Sequence, residues 1–475
     1  MPVGEPNIIA FLALLLWAPV TAFVFWRFKA PMATMICLLG GAMFLPEQTA
    51  IDPPLLPPID KESVAAFCCL IGCLLTDRRR LADAKPLRGI DLLFVLVLLG
   101  NVGTALTNGD RLITGPIVRE NLVLYDALAL GIKDTLSLYL PFFLARAMLR
   151  TSKDLKDLMR VLVTCGLIYS FLALIEIRLS PQLHNWLYGF HQMDFSMTMR
   201  FGGYRPMIFM LTGLATAMFI LSTALAAAAR WRAGMSKPWA TLWLSLILLF
   251  CKSTGAIIYG VFVIPLVAWV KKPRMWLPVG LALMVLFFPL LRGTDIFPTD
   301  TLVQWAHNIS EERALSLWFR FDQEDQLLER ARERMIFGWG TYSRNRVYHP
   351  ETGEDLSITD GDWMIQFGTR GVVGFVGLYG LLVVAVLVAW RRLKRIPDRR
   401  ERILLSALAL ISSLQTVDLL PNGLFHYLPF FFAGALAGLA EGLAQRADRE
   451  RKRRRRERAA MGREKRTSLQ MRAVR

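Results

Sequence analysis

Apolar and polar positions along this chain fall into blocks, not into the short alternations of a soluble domain. Thirteen apolar stretches stand out, near 8–26, 31–45, 62–76, 90–106, 124–147, 160–179, 205–229, 238–252, 254–270, 275–291, 365–390, 402–419 and 423–443. Many exceed the roughly 17 to 25 residues that carry a helix across a bilayer. Those at 31–45 and 62–76 are short, and the pair divided at Lys252–Gly255 reads either as two spans or as one broken span. Backbone in lipid must satisfy its own hydrogen bonds, so apolar runs of this length predict helices. The expectation is an all-α fold: a polytopic transmembrane bundle of about 12–13 spans.

The longest polar interruption, 292–364, lies between the tenth and eleventh stretches. Leu315, Leu317, Trp318, Leu327, Leu328 and Met335 recur there at helical spacing among charged residues. That pattern predicts one or two amphipathic helices lying on the membrane part. From Gly338 and Gly340 to Gly361 the pattern becomes irregular loop. Four regions follow: spans one to ten in 1–291, a helical external loop domain in 292–364, spans eleven to thirteen in 365–444, and a basic tail in 445–475.

Charge orients the bundle. Basic clusters follow every odd-numbered stretch: Arg27 and Lys29, Arg78–Arg80, Arg146 and Arg150, Arg230 and Arg232, Lys271 and Lys272, Arg391 and Arg392, and the tail. Cytoplasmic loops collect Lys and Arg, which predicts an external N-terminus and a cytoplasmic C-terminus. Composition agrees: 54% apolar, 20% charged and a mean hydropathy of +0.40 exclude a soluble enzyme, a disordered chain and a secreted disulfide scaffold. The opening MPVGEPN lacks a basic n-region, so the first stretch is expected to be a retained span. The six cysteines fall in or beside spans, against disulfides and a cysteine metal site. Much of the net charge of +18 sits in the tail, where Arg451–Arg456 form one run. Such a run is drawn to anionic membrane lipid at about 1 kcal/mol per residue; with no recognition fold beside it, it gives no reason to expect nucleic acid.

Soluble-enzyme motifs (a GxSxG elbow, a P-loop, HExxH) are absent. What remains is a collection of cations in the connectors of one side: Arg200, Arg205, Lys252, Arg320, Arg334, Arg344, Arg346 and His349. Arginine forks suit phosphate, and fixed cations lower the barrier to expelling a pyrophosphate. The plainer reading is that these cations pair with Asp322, Glu324, Asp325, Glu329 and Glu333 on solvated helix faces. A transporter would instead place charge inside spans, where Lys133, Asp134, Glu176 and Asp418 are the candidates.

Three stretches carry a resemblance to a known family. Arg320 is followed by Gly338-Trp339-Gly340, a polar loop, and a span opening with Thr369-Arg370-Gly371-Val372-Val373-Gly374. RFGGYRPMIFMLTGLATAM at 200–218 and CKSTGAIIYG at 251–260 are the others. Together they resemble the O-antigen ligase and O-antigen polymerase superfamily of bacterial membrane glycan enzymes. The resemblance implies an inner-membrane transferase acting on the periplasmic face. Its donor would be an undecaprenyl-pyrophosphate-linked saccharide and its acceptor a sugar hydroxyl. It implies no cofactor and no metal, and leaves room for partners in polysaccharide assembly.

The chain also departs from the pattern. Ligases of this family carry a His-Asn pair eleven residues before the glycine that matches Gly371; here Asp360 and Gly361 stand there, followed by Asp362 and Trp363. A carboxylate can take a proton from an attacking hydroxyl, though SITDGDW also reads as a turn and helix cap. His184-Asn185 looks like the missing pair in the wrong loop. The expected site is therefore Arg320 with Asp360 or Asp362 as catalytic groups. Arg200, Arg205, Lys252, Arg334, Arg344, Arg346, His349 and Trp363 would hold substrate. The departure tilts the expectation towards a polymerase. A lipid-linked glycan flippase, or a non-catalytic subunit of a polysaccharide machine, stands as the alternative.

Overall fold

Each of the thirteen apolar stretches contains helix. The structure, a computed structural model, describes residues 4–54, 57–269, 274–294, 296–308, 310–423 and 426–473, of which 313, 455 and 458–473 are described by backbone alone. Lys271 and Lys272, two of the cations that orient the bundle, lie outside the described residues. In the first half of the chain, α1 is Ile8–Arg27, α2 Ala30–Phe44, α3 Lys61–Thr76, α4 Arg78–Asp83 and α5 Leu92–Thr107. Next come α6 Leu124–Asp134, α7 Leu140–Met148, α8 Ser152–Leu179 and α9 Leu183–Tyr188. In the second half, α10 is Gly213–Arg232, α11 Trp239–Phe250, α12 Thr254–Trp269 and α13 Trp276–Gly293. Then α14 is Thr299–His307, α15 Glu311–Arg332, α16 Asp362–Leu393, α17 Arg399–Val417 and α18 Leu428–Ala473.

Among the described residues eight helical segments are long and apolar enough to cross a membrane, which makes this an all-α bundle of the multi-pass membrane kind. They are α1, α5, the α6–α7 unit, α8, α10, α13, α16 and the first part of α18. Helices α2, α11 and α12 are apolar but shorter; at 1.5 Å per residue they reach about 18 to 24 Å, against a hydrocarbon core of about 30 Å. Among the described residues strand is confined to two-stranded pairs in connectors: Ala50–Ile51 with Ile59–Asp60, Leu112–Thr114 with Ile117–Arg119, and Met199–Arg200 with Gly203–Tyr204.

Helix α10 is the most enclosed, packed by α8, α11, α12 and α17, while α16 packs on α5, α13 and α18. The Lys252–Gly255 break is a reversal. Lys252 has φ +50° and its side chain lies against Gly203. Leu266 and Val267, near the end of α12, share a cavity wall with Arg232 at the end of α10. Helix α11 therefore runs out to Lys252 and α12 runs back.

One helix starts later than expected, and another is kinked. The expected span at 205–229 begins only at Gly213. Glu176 of α8 accepts the backbone N–H groups of Met207 and Ile208, both at 2.7 Å, and Ile208 sits at φ +59°. Those bonds hold 205–212 as a turn, and Thr212 then caps α10. Helix α16 carries a kink at Gly371, where φ is +60°. A residue with a side chain resists that conformation, and a Cβ there would also strike the Ile336 carbonyl.

The 292–364 interruption contains α14 and α15 packed together, then irregular chain with a single β-bridge between Tyr348 and Asp355. Leu327, Leu328 and Ala331 are buried, whereas Leu315 and Trp318 stay exposed. A buried cation fixes α15 to the bundle: Arg292, at the end of α13, bonds Glu324 at 3.2 Å and Asp325 at 2.7 Å. Trp363 donates its indole N–H to the same Glu324 at 3.2 Å.

Candidate functional site

The stretches that look alike from a distance in sequence meet in space. Trp339 and Gly340 donate their backbone N–H groups to Gly368 and Thr369 at 2.9 and 2.8 Å, and Val372 and Val373 donate to Met335 and Ile336 at 2.8 and 3.1 Å. The Gly-Trp-Gly turn and the kinked opening of α16 thus form a backbone clasp. At Gly338, φ +72°, an added Cβ would come 2.5 Å from the Gly371 nitrogen. The other two stretches also touch. Lys252 donates to the Phe201 carbonyl at 3.4 Å, inside the Met199–Tyr204 hairpin.

Pairing sorts the expected cations into two groups. Arg334 bonds Asp110 at 2.8 Å and also the Thr107 carbonyl, with its guanidinium 4.3 Å from the centre of the Trp339 ring. Arg344 is fully buried, donates to the Glu120 carbonyl at 2.9 Å and shares Asp110 at 3.4 Å. Burial holds the Arg344 guanidinium below its ordinary value. Burial raises Asp110, but the hydrogen bond and charge of Arg334, with the charge of Arg344, bring it below the usual carboxylate range. Arg346 pairs with Asp355. Arg320 pairs with Asp360 at 3.2 Å, both about half exposed, and reaches the Pro421 carbonyl at 3.5 Å. The partners are thus not the carboxylates at hand on α15: Glu324 and Asp325 serve Arg292, and Glu333 serves Arg330.

Arg200, Arg205 and Lys252 behave differently. Among the described residues they form no ion pair. Arg200 is exposed, and Arg205 lies against Gly213, the first residue of α10, with its Nε buried and unbonded. Arg205 stands within electrostatic reach of Arg200 and of Asp418, at the end of α17. A helix N-terminus is already electropositive. Three cations gathered there against one carboxylate leave a surplus of positive potential.

The segment after Asp418 joins this cluster to the Arg320–Asp360 pair. Asn422 donates to Asp418 at 3.1 Å, and its carbonyl accepts from Asp362 N–H at 3.2 Å. Leu420 packs its carbonyl against Gly361, and Gly423 lies against the Asp360 carbonyl.

The remaining expected residues are placed less openly. Asp362 is buried; one oxygen accepts from Gln366 at 3.0 Å and the other from Tyr379 at 2.7 Å. Trp363 is buried against Phe288. His349 accepts backbone N–H from Thr352 at 3.2 Å and so shapes a turn. His184 is buried, with Nδ1 2.9 Å from the Phe190 carbonyl and Nε2 accepting from Glu47 N–H at 3.2 Å. Both of its ring nitrogens are thus engaged.

One constellation had no clear sequence signal. Arg370 forms a bidentate pair with Asp134 at 2.6 and 2.8 Å and bonds Asn101 at 3.0 Å and Gln366 at 2.8 Å. Through Gln366 it connects to Asp362 and Tyr379, a continuous polar chain across α5, α6 and α16. Asp134 immediately precedes the π-turn Thr135–Tyr139, a type of distortion frequent at functional positions. Among the described residues no group of three or more His, Cys, Asp or Glu side chains could hold a metal ion. No protein-family model and no curated protein matches this chain.

Proposed function

We propose that the protein is a membrane glycan polymerase or ligase of the bacterial inner membrane. It would move a saccharide from an undecaprenyl-pyrophosphate-linked donor to a sugar hydroxyl on the periplasmic side. The observation that carries this reading is the unpaired cluster of Arg200, Arg205 and Lys252 beside the N-terminus of α10. A pyrophosphate leaving group gathers charge as its bond breaks, and preorganised donors in such a place stabilise it. Arg320 extends the cationic surface along the Asp418–Gly423 segment, and its partner Asp360 is the reachable carboxylate for the acceptor hydroxyl. Asp362, enclosed and fully bonded, orients the opening of α16 in this reading and does not act as the base.

A second reading has its own observation. The Arg370–Asp134 pair puts charge inside helices of spanning length, which a lipid-linked glycan flippase would use. One experiment separates the two. Cells carrying Arg205→Ala, Lys252→Ala or Arg320→Ala, each verified as inserted, are profiled for glycan and for lipid-linked intermediates. A polymerase predicts loss of long polymer with single repeat units accumulating on the outer face. A ligase predicts full-length, untransferred polymer. Units trapped on the inner face in a fourth variant, Arg370→Met, support the flippase, and an unchanged profile in the first three variants overturns the site.

A further inference from the structure

At the far end of α10 from Arg205 the helices leave a gap. Helix α10 packs on α12 and α17, and α13 packs on α17. A partly open cavity of about 80 Å³ lies between α12 and the α13–α17 pair. Helix α17 presents Ile403, Ser406, Ala407 and Leu410 to it, at i, i+3, i+4 and i+7 on one face. The small side chains at 406 and 407 leave a volume that Leu266 and Val267 of α12 and Leu277 of α13 line without filling.

Three observations define the occupant. The first is the wall, which is mainly apolar. One water needs about 10 to 15 Å³ and two to four polar partners; this cavity has the room and lacks the partners. The second is charge. Among the described residues the charged side chains of the wall, Arg232 and Arg274, are both cations. Residues 195–294 contain no Asp or Glu, so the connectors between α10 and α13 carry positive charge only. The carboxylates at the start of α17 are engaged: Asp398 caps the helix, and Glu401 pairs with Arg446 at 3.4 Å. The third is depth. Arg232 ends α10 and Trp276 opens α13, both helices of spanning length. Trp269 and Trp276, which flank the gap, are 67% and 63% exposed. Exposed tryptophans at the ends of apolar helices mark the headgroup level of a bilayer. The arginines therefore stand where lipid phosphates lie, and the apolar wall runs deeper.

An occupant with an anionic head and an apolar tail satisfies all three. A soluble anion would leave the apolar wall unused, and a bare acyl chain would leave the arginines unmatched. Arginine forks hold phosphate, and basic pockets between spanning helices suit anionic head groups. We infer that this cavity binds an anionic phospholipid of the bilayer. Its phosphate lies against Arg232 and Arg274, and the first methylenes of one acyl chain run along Leu266, Leu277 and Leu410. The inference is independent of what the protein transfers at the other end of α10.

The test uses full-length protein in a neutral detergent. It is titrated with phosphatidylglycerol, or with phosphatidylethanolamine of the same acyl chains, and read by native mass spectrometry. The first phosphatidylglycerol should bind about tenfold or more tightly than phosphatidylethanolamine. Arg232→Gln/Arg274→Gln should abolish that preference, and Arg274→Gln alone, at an exposed position, should narrow it. Ala407→Phe fills the cavity and keeps both charges; it should weaken phosphatidylglycerol about tenfold. Lys452→Gln/Arg454→Gln in the tail, or excess inorganic phosphate, should leave the first lipid in place. Equal affinity for the two lipids, or a preference that survives the arginine substitutions, would overturn the inference. So would undiminished binding in Ala407→Phe or loss in the tail variant, each of which puts the lipid on the surface, and displacement by phosphate, which makes this a soluble-anion site.

Discussion

The Arg370–Asp134 pair gives the sharpest energetic expectation. Arg370 makes two bonds to Asp134 and one each to Asn101 and Gln366, and Asp134 is 3% exposed. Among the described residues, Arg370→Met removes the only cation bonded to that carboxylate and leaves Asn101 as its sole side-chain partner. Removing one member of a buried pair costs about 3 to 5 kcal/mol, whereas replacing both with apolar groups of similar volume is often neutral. Neutral interhelical hydrogen bonds in membranes average only about 0.6 kcal/mol, so the two kinds of interaction are separable by size. Arg370→Met and Asp134→Leu should each cost about 3 to 5 kcal/mol. The double variant should cost about 2 kcal/mol or less, so the coupling is several kcal/mol. Reversible unfolding in mixed micelles, followed by circular dichroism, measures all four corners of the cycle. A coupling below about 1 kcal/mol would refute the reasoning, because it would mean that water reaches the pair.

Two further outcomes follow from the anchoring of the 292–364 segment and from a buried histidine. Arg292→Ala strands Glu324, whose carboxyl burial already raises, beside Asp325; limited proteolysis should then cut α14 and α15 at least about tenfold faster, consistent with a loss above about 1.4 kcal/mol. Burial lowers His184 to about 4, and a lowered folded value means stability is complete above the ordinary value near 6.5 and is lost as pH falls towards 4. At pH 5 the loss is about 2 kcal/mol relative to pH 7.5, read as a drop in Tm that His184→Gln should remove; an equal drop in the variant would assign the effect elsewhere.

The helices were legible because each is a property of consecutive residues: an apolar run in lipid has one stable backbone solution. Helix α15 was legible for the same reason, although of the apolar residues that predict it Leu327 and Leu328 are buried while Leu315, Trp318 and Met335 are exposed. What could not be read was anything set by a distant partner. The late start of α10 depends on Glu176, a residue of α8. The partners of Arg334 and Arg344 are in the connector after α5, at Asp110, although α15 offers carboxylates much nearer in sequence. Arg370 stands in plain view in the opening of α16, and Asp134 reads from the sequence as one of four charges that a transporter would place inside spans; nothing local joins positions 236 residues apart. His184-Asn185, alike in letters to a catalytic pair, proves to be packing between the α9 turn and the segment after α2.

The same pairing pattern bears on how a site of this kind could work. Arg344 is buried with its carbonyl and carboxylate partners, so recruiting it to a phosphate would mean dismantling the loop it holds. Arg200, Arg205 and Lys252 need lose no carboxylate partner, and they stand beside an electropositive helix end. Arg320 lies between these cases. Its bond to Asp360 joins two half-exposed side chains, and such a pair is worth about 0.2 to 1 kcal/mol. In the proposed function, an arriving pyrophosphate, with more negative charge than one carboxylate, would take Arg320 over at small cost. That exchange also releases Asp360 to accept a proton from the acceptor hydroxyl. In the proposed function, donor binding thus creates the base, and no hydroxyl is activated before a donor is in place. Arg320→Lys then has a defined consequence: a point charge that cannot bridge bidentately should keep donor binding within about tenfold while lowering turnover more. Equal losses in both would place Arg320 in binding alone.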